Sequence, residues 1–285
     1  MASSNMTHST DALATELRPQ AADFYRQVLE ILQREQLPFL VGGAFALTCY
    51  TDVCRYTKDL DLFVRQSDVP RMLKAMEKEG FVTEMTSPVW IAKVFREGES
   101  IDLIFNSGNG LASVDDQWFA RSVPQQMLGI EALVLAPEEF IWSKAFIMER
   151  ERFDGADIAH TLLAQADQLD WDHLLDLFDE HWRVLFSHLV LFGYIYPSER
   201  QRIPNRVILE MLTRQVDEAS EAAPEERLCQ GTLLSRTQYR IDIDQWGFED
   251  ARVRPRGTMS TSEAQRLSRT DEENRRFDAD AGDEG

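Results

Sequence analysis

The apolar positions of this chain fall into two regimes. Between residues 39 and 135 they come in short runs separated by turn residues, which predicts strands, and from 137 to 216 they recur every three or four positions, which predicts helices. Ahead of both, residues 19–36 place Phe24, Val28, Ile31 and Leu32 at helical spacing behind Pro19, a favoured first residue of a helix. That amphipathic helix leads into Phe39-Leu40-Val41, a short apolar strand, then Gly42-Gly43, then Ala44-Phe45-Ala46-Leu47, which opens a helix. Residues 56–64 predict the next strand. A helix capped by Asp68 begins with Pro70 and ends at Gly80. Residues 81–85, 89–95, 100–105 and 130–135 complete the strands, and Asn106-Ser107-Gly108-Asn109-Gly110 predicts a mobile substrate loop after one of them.

Residues 137–152, 154–165, 171–196 and 205–216 predict four helical segments forming a bundle against the strand-bearing half. The composition then shifts. Residues 217–226 read as a linker, 239–248 alternate like an edge strand and read as a docking segment, and 256–285 are charged and poor in large apolar residues, which predicts disorder. The expected organisation is a flexible N-terminus over 1–18, a core over 19–136, a helical domain over 137–216, and a linker, docking segment and tail over 217–285.

Composition and charge narrow the partners. With 285 residues and 44% hydrophobic content the chain can bury one sizeable core and a smaller second one. The formal net charge is −19, and it is spread along the chain: residues 217–285 hold 17 acids against 10 arginines, a net of −7, leaving −12 for residues 1–216. Nonspecific nucleic-acid binding, which relies on accumulated Lys and Arg, is not expected. The three cysteines, Cys49, Cys54 and Cys229, fit neither a disulfide framework nor a zinc spacing, so a reduced, cytoplasmic setting is expected. The longest apolar run, residues 184–196, is too short to span a bilayer, and no membrane partner is expected.

The candidate chemistry begins at Asp59-Leu60-Asp61. Strand alternation puts both carboxylates on one face and Leu60, Leu62 and Val64 on the other. Two ionised acids beside a core repel each other and lose hydration, and a divalent cation is the usual compensation. Gly42-Gly43 at a strand-to-helix turn lets backbone N–H groups approach a phosphate, and Ser100-Ile101-Asp102 sets a third acid on another strand. Three such acids beside a glycine turn suit Mg²⁺ held against a nucleoside triphosphate.

Gly42-Gly43, the run Arg55-x-Thr57-x-Asp59-x-Asp61 and Asp102 together resemble the nucleotidyltransferase superfamily related to DNA polymerase beta, and within it the small bacterial branch of AbiEii-type toxins and aminoglycoside nucleotidyltransferases. The likeness spans residues 20–165. It implies an α+β fold, a mixed sheet flanked by helices followed by a helical bundle and a largely disordered acidic tail, and a Mg²⁺-dependent, toxin-like enzyme that moves NMP from an NTP to a hydroxyl-bearing acceptor. Asp59, Asp61 and Asp102 would be catalytic and metal-binding, with Gly42, Gly43, Arg55, Lys58 and Lys144 on the nucleotide. Lys144 lies in Trp142-Ser143-Lys144, where the family has a triphosphate-binding lysine; an ordinary surface lysine is the other reading. The run Arg150 to Ile158 is similar to an Arg-x-Lys-Asp-x-x-Asp run of the toxin-like branch, with Phe153 in place of the lysine, and Asp154 reads equally as a helix N-cap.

Two other classes stay open. One is a catalytically silent nucleotide- or partner-binding module on the same fold. The other is a ribonuclease, because Arg183 and His188 have the Arg-x4-His spacing that resembles HEPN nucleases, although that spacing does not put both side chains on one helix face. The acceptor, whether small molecule, protein or RNA, stays open as well.

Overall fold

In the computed structural model, residues 17–55, 57–256 and 259–269 are described. The predicted N-terminal segment lies almost wholly outside them, as do residues 270–285 of the predicted tail.

A seven-stranded mixed sheet forms the frame. Its strands are β1 (Leu40–Val41), β2 (Asp59–Phe63), β3 (Val82–Ser87), β4 (Ile91–Arg96), β5 (Glu99–Ile104), β6 (Val123–Met127) and β7 (Ile130–Val134), in the spatial order β3-β4-β5-β2-β1-β7-β6. The β1–β7 and β2–β5 pairs are parallel and the other four antiparallel. Alternation along β2 sorts its side chains as expected. Leu60 and Leu62 enter a core with Phe24, Val28 and Leu32 of α1 (Pro19–Arg34), Phe45 of α2 (Gly43–Thr51) and Met72 of α3 (Val69–Lys78). On the other face Phe63 joins a second core with Trp118 of the short α4 (Asp116–Arg121) and the helical half.

That half contains α5 (Pro137–Ala145), α6 (Gly155–Gln165), α7 (Trp171–Phe178), α8 (Trp182–Ile195) and α9 (Asn205–Ser220). Ile141, Leu162, Phe178, Leu185, Phe192 and Val207 are among its fully covered side chains. The segment expected as one helix over 171–196 is broken at Asp179, whose backbone turns to φ +31° before a 3-10 turn restarts the chain as α8. Asp68 makes no capping bond and sits in a 3-10 turn near Arg65 and Arg71 instead, whereas Gly80 ends α3 in the left-handed conformation expected of it. Strand β6 escapes an apolar pattern because it carries Pro124, Gln125 and Gln126 on the sheet edge.

The largest departure is C-terminal. Residues 239–248 are no edge strand: Arg240–Asp244 is a one-turn helix, α10, followed by a two-residue strand β9 (Glu249–Asp250) paired in parallel with β8 (Leu228–Cys229). Within the predicted tail, Thr261–Ser268 forms α11, closed by a capping box between Ser260 and Glu263, with Ala264 and Leu267 buried. Buried Arg252, 2% exposed, donates to both oxygens of Asp250 and to the carbonyl of Ser268, tying this segment together.

Candidate active site

The site grows from the turn between β1 and α2. Gly42 donates its N–H to the Asp61 carbonyl at 2.9 Å, continuing the β1–β2 ladder to the helix start. A Cβ on Gly42 would stand 2.3 Å from the Phe63 ring. On Gly43, at φ +54°, one would stand 1.9 Å from Asp61 Oδ2, so only glycine lets the N-terminus of α2 approach that carboxylate so closely.

The register then aligns the charges. Asp61 pairs directly with Asp102 across β2–β5, and Asp102 pairs with Lys93 across β4–β5. Asp59, Asp61 and Asp102 therefore share a face of the sheet. Lys93 Nζ lies 2.6 Å from Asp102 Oδ1. Burial raises the Asp102 carboxyl, Lys93 holds it back, and Asp59 pushes it up. Burial, reinforced by Asp59 and Asp102 and opposed by Lys144 and Arg152, pushes Asp61 up to about 6.

Asp61 and Asp102 open onto a cavity of about 240 Å³ together with Gly43, Lys144 and Arg152. Lys144 Nζ is 2.7 Å from Asp154 and 3.4 Å from Asp157. Arg152 grips Asp154 through two nitrogens at 2.9 and 3.0 Å. Burial works against the Asp154 carboxylate, but these two cations hold it below its ordinary range. Asp154 thus serves as an anchor for Lys144 and Arg152 and makes no side-chain capping bond to α6.

Other sequence candidates stand elsewhere. Arg55 pairs with Asp157 and approaches His160 Nδ1 at 3.2 Å, and it does not line the cavity; Lys58 is exposed and does not line it either. Asp59 shares the sheet face of Asp61 and, like Arg55 and Lys58, does not line the cavity; the Thr57 hydroxyl donates to its carbonyl at 2.8 Å and reaches its carboxylate at 3.1 Å. The loop expected to be a mobile substrate loop is tied down: the Ser107 hydroxyl donates to Asn109 and accepts from the N–H groups of Leu111 and Ala112, and Asn109 Nδ2 donates to the Leu233 carbonyl. Sequence reasoning passed over Lys93 and Arg152. Lys93 had one signal, an alternation position in the strand before the acid-bearing one.

The HEPN-like pair separates. Arg183 is exposed, pairs with Glu218 of α9 and lies over the Trp182 ring, while His188, 3% exposed, shares a hydrogen bond with the Ala145 carbonyl of α5.

Among the described residues no group of three or more His, Cys, Asp or Glu is arranged to hold a metal ion, so the expectation of a three-acid metal cluster is not met by a preformed cage. The residues nevertheless suit Mg²⁺, which commonly binds through one or two carboxylates plus substrate phosphates. Asp102 has the Lys93 ammonium in contact, whereas Asp61 sees cations only at longer range and carries a carboxylate strained by its neighbours.

A glycine-turned helix N-terminus over in-register acids of a mixed sheet is the architecture of a nucleotidyltransferase. A family model described as "Uncharacterised nucleotidyltransferase" matches residues 9–191, and the chain belongs to that family. No curated protein matches it. Among solved structures, the chain is similar to a solution structure of the antibiotic-resistance factor ANT(2'')-Ia, at 15% identity over 60% of this chain and 98% of that one, TM-score 0.44. It is also similar to the lincosamide antibiotic adenylyltransferase LnuA bound to lincomycin, at 12% identity over 51% and 96%, TM-score 0.36. ANT(2'')-Ia in complex with adenylyl-2''-tobramycin matches at 15% identity over 55% and 93%, TM-score 0.36. Among the described residues no helix is long and apolar enough to cross a membrane.

Proposed function

We propose that this enzyme transfers NMP from an NTP to a hydroxyl-bearing acceptor and releases pyrophosphate. The observation that carries the reading is the pairing of Asp61 with Asp102 beneath Gly43, with Lys144 and Arg152 on the same cavity.

Asp59 and Asp61 would hold Mg²⁺ with phosphate oxygens of the nucleotide, and Mg²⁺ when bound neutralises charge on the triphosphate. The start of α2 offers backbone N–H groups and the positive end of its dipole to a phosphate. Lys144 and Arg152, prepositioned by Asp154, add positive charge where pyrophosphate departs. Lys93 occupies Asp102 Oδ1, which leaves Oδ2 to orient the acceptor hydroxyl and take its proton. The acceptor oxygen bonds to the α-phosphorus in line, and the bond to the bridging oxygen breaks, its electron pair leaving with pyrophosphate.

Incubation with Mg²⁺, each labelled NTP and cell extract as the source of acceptor tests this directly. Pyrophosphate release with label transfer, lost in Asp61→Asn, supports the reading. Asp61-dependent nucleotide binding without any turnover would make the protein a silent nucleotide-binding module, and turnover retained in Asp61→Asn would place the site elsewhere. A toxin-like role predicts growth arrest on expression that Asp61→Asn relieves.

A further inference from the structure

The cavity has a wall that lies outside the family-matched residues 9–191. Residues 232–236 run across it as a strap fixed at both ends. On the β5 side, Asn109 Nδ2 donates to the Leu233 carbonyl at 2.8 Å. On the α5 side, Met148 donates its N–H to the Leu234 carbonyl at 3.2 Å, and Glu149 accepts the Arg236 N–H at 2.9 Å and the Ser235 hydroxyl. At the start of the strap the Thr232 hydroxyl donates to the Cys229 carbonyl at 3.0 Å, on the strand paired with Asp250, and behind the strap Met259 and Leu267 close over Gly110. These contacts make the strap a built part of the site.

The surface it completes is selective. Trp90, Trp142, Phe146, Ile147, Leu233 and Leu234 give the cavity a largely apolar lining. Both oxygens of Glu149 accept from the strap, and Asp154 is paired with Lys144 and Arg152. The cavity measures about 240 Å³. The net charge of −19 opposes a nucleic-acid acceptor.

We propose that the strap over residues 232–236 is the acceptor-selecting wall, and that the acceptor is a small, uncharged alcohol with an apolar or aromatic body. This rests on the transferase reading above. The hydroxyl would point at Asp102 and the apolar body would lie against Leu234 and the tryptophans.

The test uses the full chain with three probes: 2-phenylethanol, the polyamino sugar kanamycin and a short RNA with a free 3′-hydroxyl. Saturation-transfer NMR reads binding, and label transfer from NTP reads turnover. The expected result is binding and labelling of 2-phenylethanol, weakened about tenfold or more in Leu234→Trp, which fills the cavity, with nucleotide affinity unchanged within about twofold. Should Leu234→Trp lose its cooperative melting transition, Leu234→Ala replaces it, and a shift of preference toward a bulkier aryl alcohol is expected. No binding of 2-phenylethanol, binding indifferent to Leu234, or Leu234-dependent preference for kanamycin or RNA would overturn the proposal. Failure of the transferase reading looks different: pyrophosphate release independent of Asp61 while 2-phenylethanol binding still follows Leu234.

Discussion

Asp59-Leu60-Asp61 and Asp242-Ile243-Asp244 share one pattern, an acid, a branched apolar residue and an acid, and they fold differently. The first is clamped between β1 and β5, with Gly42 bonded to the Asp61 carbonyl, so both carboxylates face the cavity side of the sheet. The second has no neighbouring strand at its own residues and closes on itself: Gln245 N–H bonds the Ile241 carbonyl, and Arg240 reaches Asp244 at 3.1 Å one turn on. In a helix, residues two apart point to different sides, so the same spacing disperses the acids. Spacing creates a site only where partner strands hold it extended.

The sharpest way to break this comparison is to neutralise each pair. Asp61→Asn should reduce pyrophosphate release on the order of 10³-fold, the several kcal/mol that charge stabilisation at a phosphoryl centre supplies. The double change Asp242→Asn with Asp244→Asn should leave release within about twofold, since Asp242 and Asp244 touch no part of the cavity. Comparable losses from both would dissolve the distinction.

Next in size are the glycines beside each pair. Gly43→Ala at φ +54° drives a methyl into the Asp61 carboxylate and should cost about 2–3 kcal/mol in urea unfolding along with activity. Gly247, at φ +71° with open space around its Cβ position, should cost about 1 kcal/mol on the same change, through backbone conformation alone.

A pH series refines the first pair. Burial pushes the Asp61 carboxyl from the ordinary 3.8 up to about 6, so the native state holds the proton more tightly. Its ionisation therefore removes stability as pH rises from about 4 to about 6, and the penalty is fully present above that range. In metal-free buffer at pH 7, Asp61→Asn should be more stable than wild type by roughly 2 kcal/mol, and the advantage should vanish near pH 4. A constant difference across the series would remove this account of the carboxylate.

The smallest effect is expected at His188, the other place where spacing suggested chemistry. Burial lowers its pKa, and its ring stacks on Phe153 with centroids 6.1 Å apart. His188→Ala should cost about 1 kcal/mol of packing and hydrogen bonding and leave turnover nearly intact. RNA cleavage without added metal, abolished by this variant and kept by Asp61→Asn, would reverse that view.

Part of the site could be read along the chain because it is local, a glycine turn between an apolar strand and a helix and acids at alternating positions, while Lys144 was legible only through the family resemblance. Lys93 was hidden because its importance is a matter of register, two strands pairing so that it falls opposite Asp102. Arg152 was hidden because it acts through Asp154. Arg55, adjacent in sequence to the acids, is drawn away by Asp157 on α6.

The sequence by itself determined most of the strand and helix order of residues 19–165, with α4 and β6 missed, the face on which Asp59 and Asp61 lie, and the need for glycine before α2, since alternation and turn chemistry act over a few neighbouring residues. Only the tertiary structure decided that residues 232–236 wall the cavity, backed by Met259 and Leu267. Their apolar positions are sparse and aperiodic, and they are buried through long-range contacts: Asn109 to Leu233, Glu149 to Ser235 and Arg236, and Gly110 beneath Met259 and Leu267. No local pattern encodes a contact whose two halves lie more than 80 residues apart.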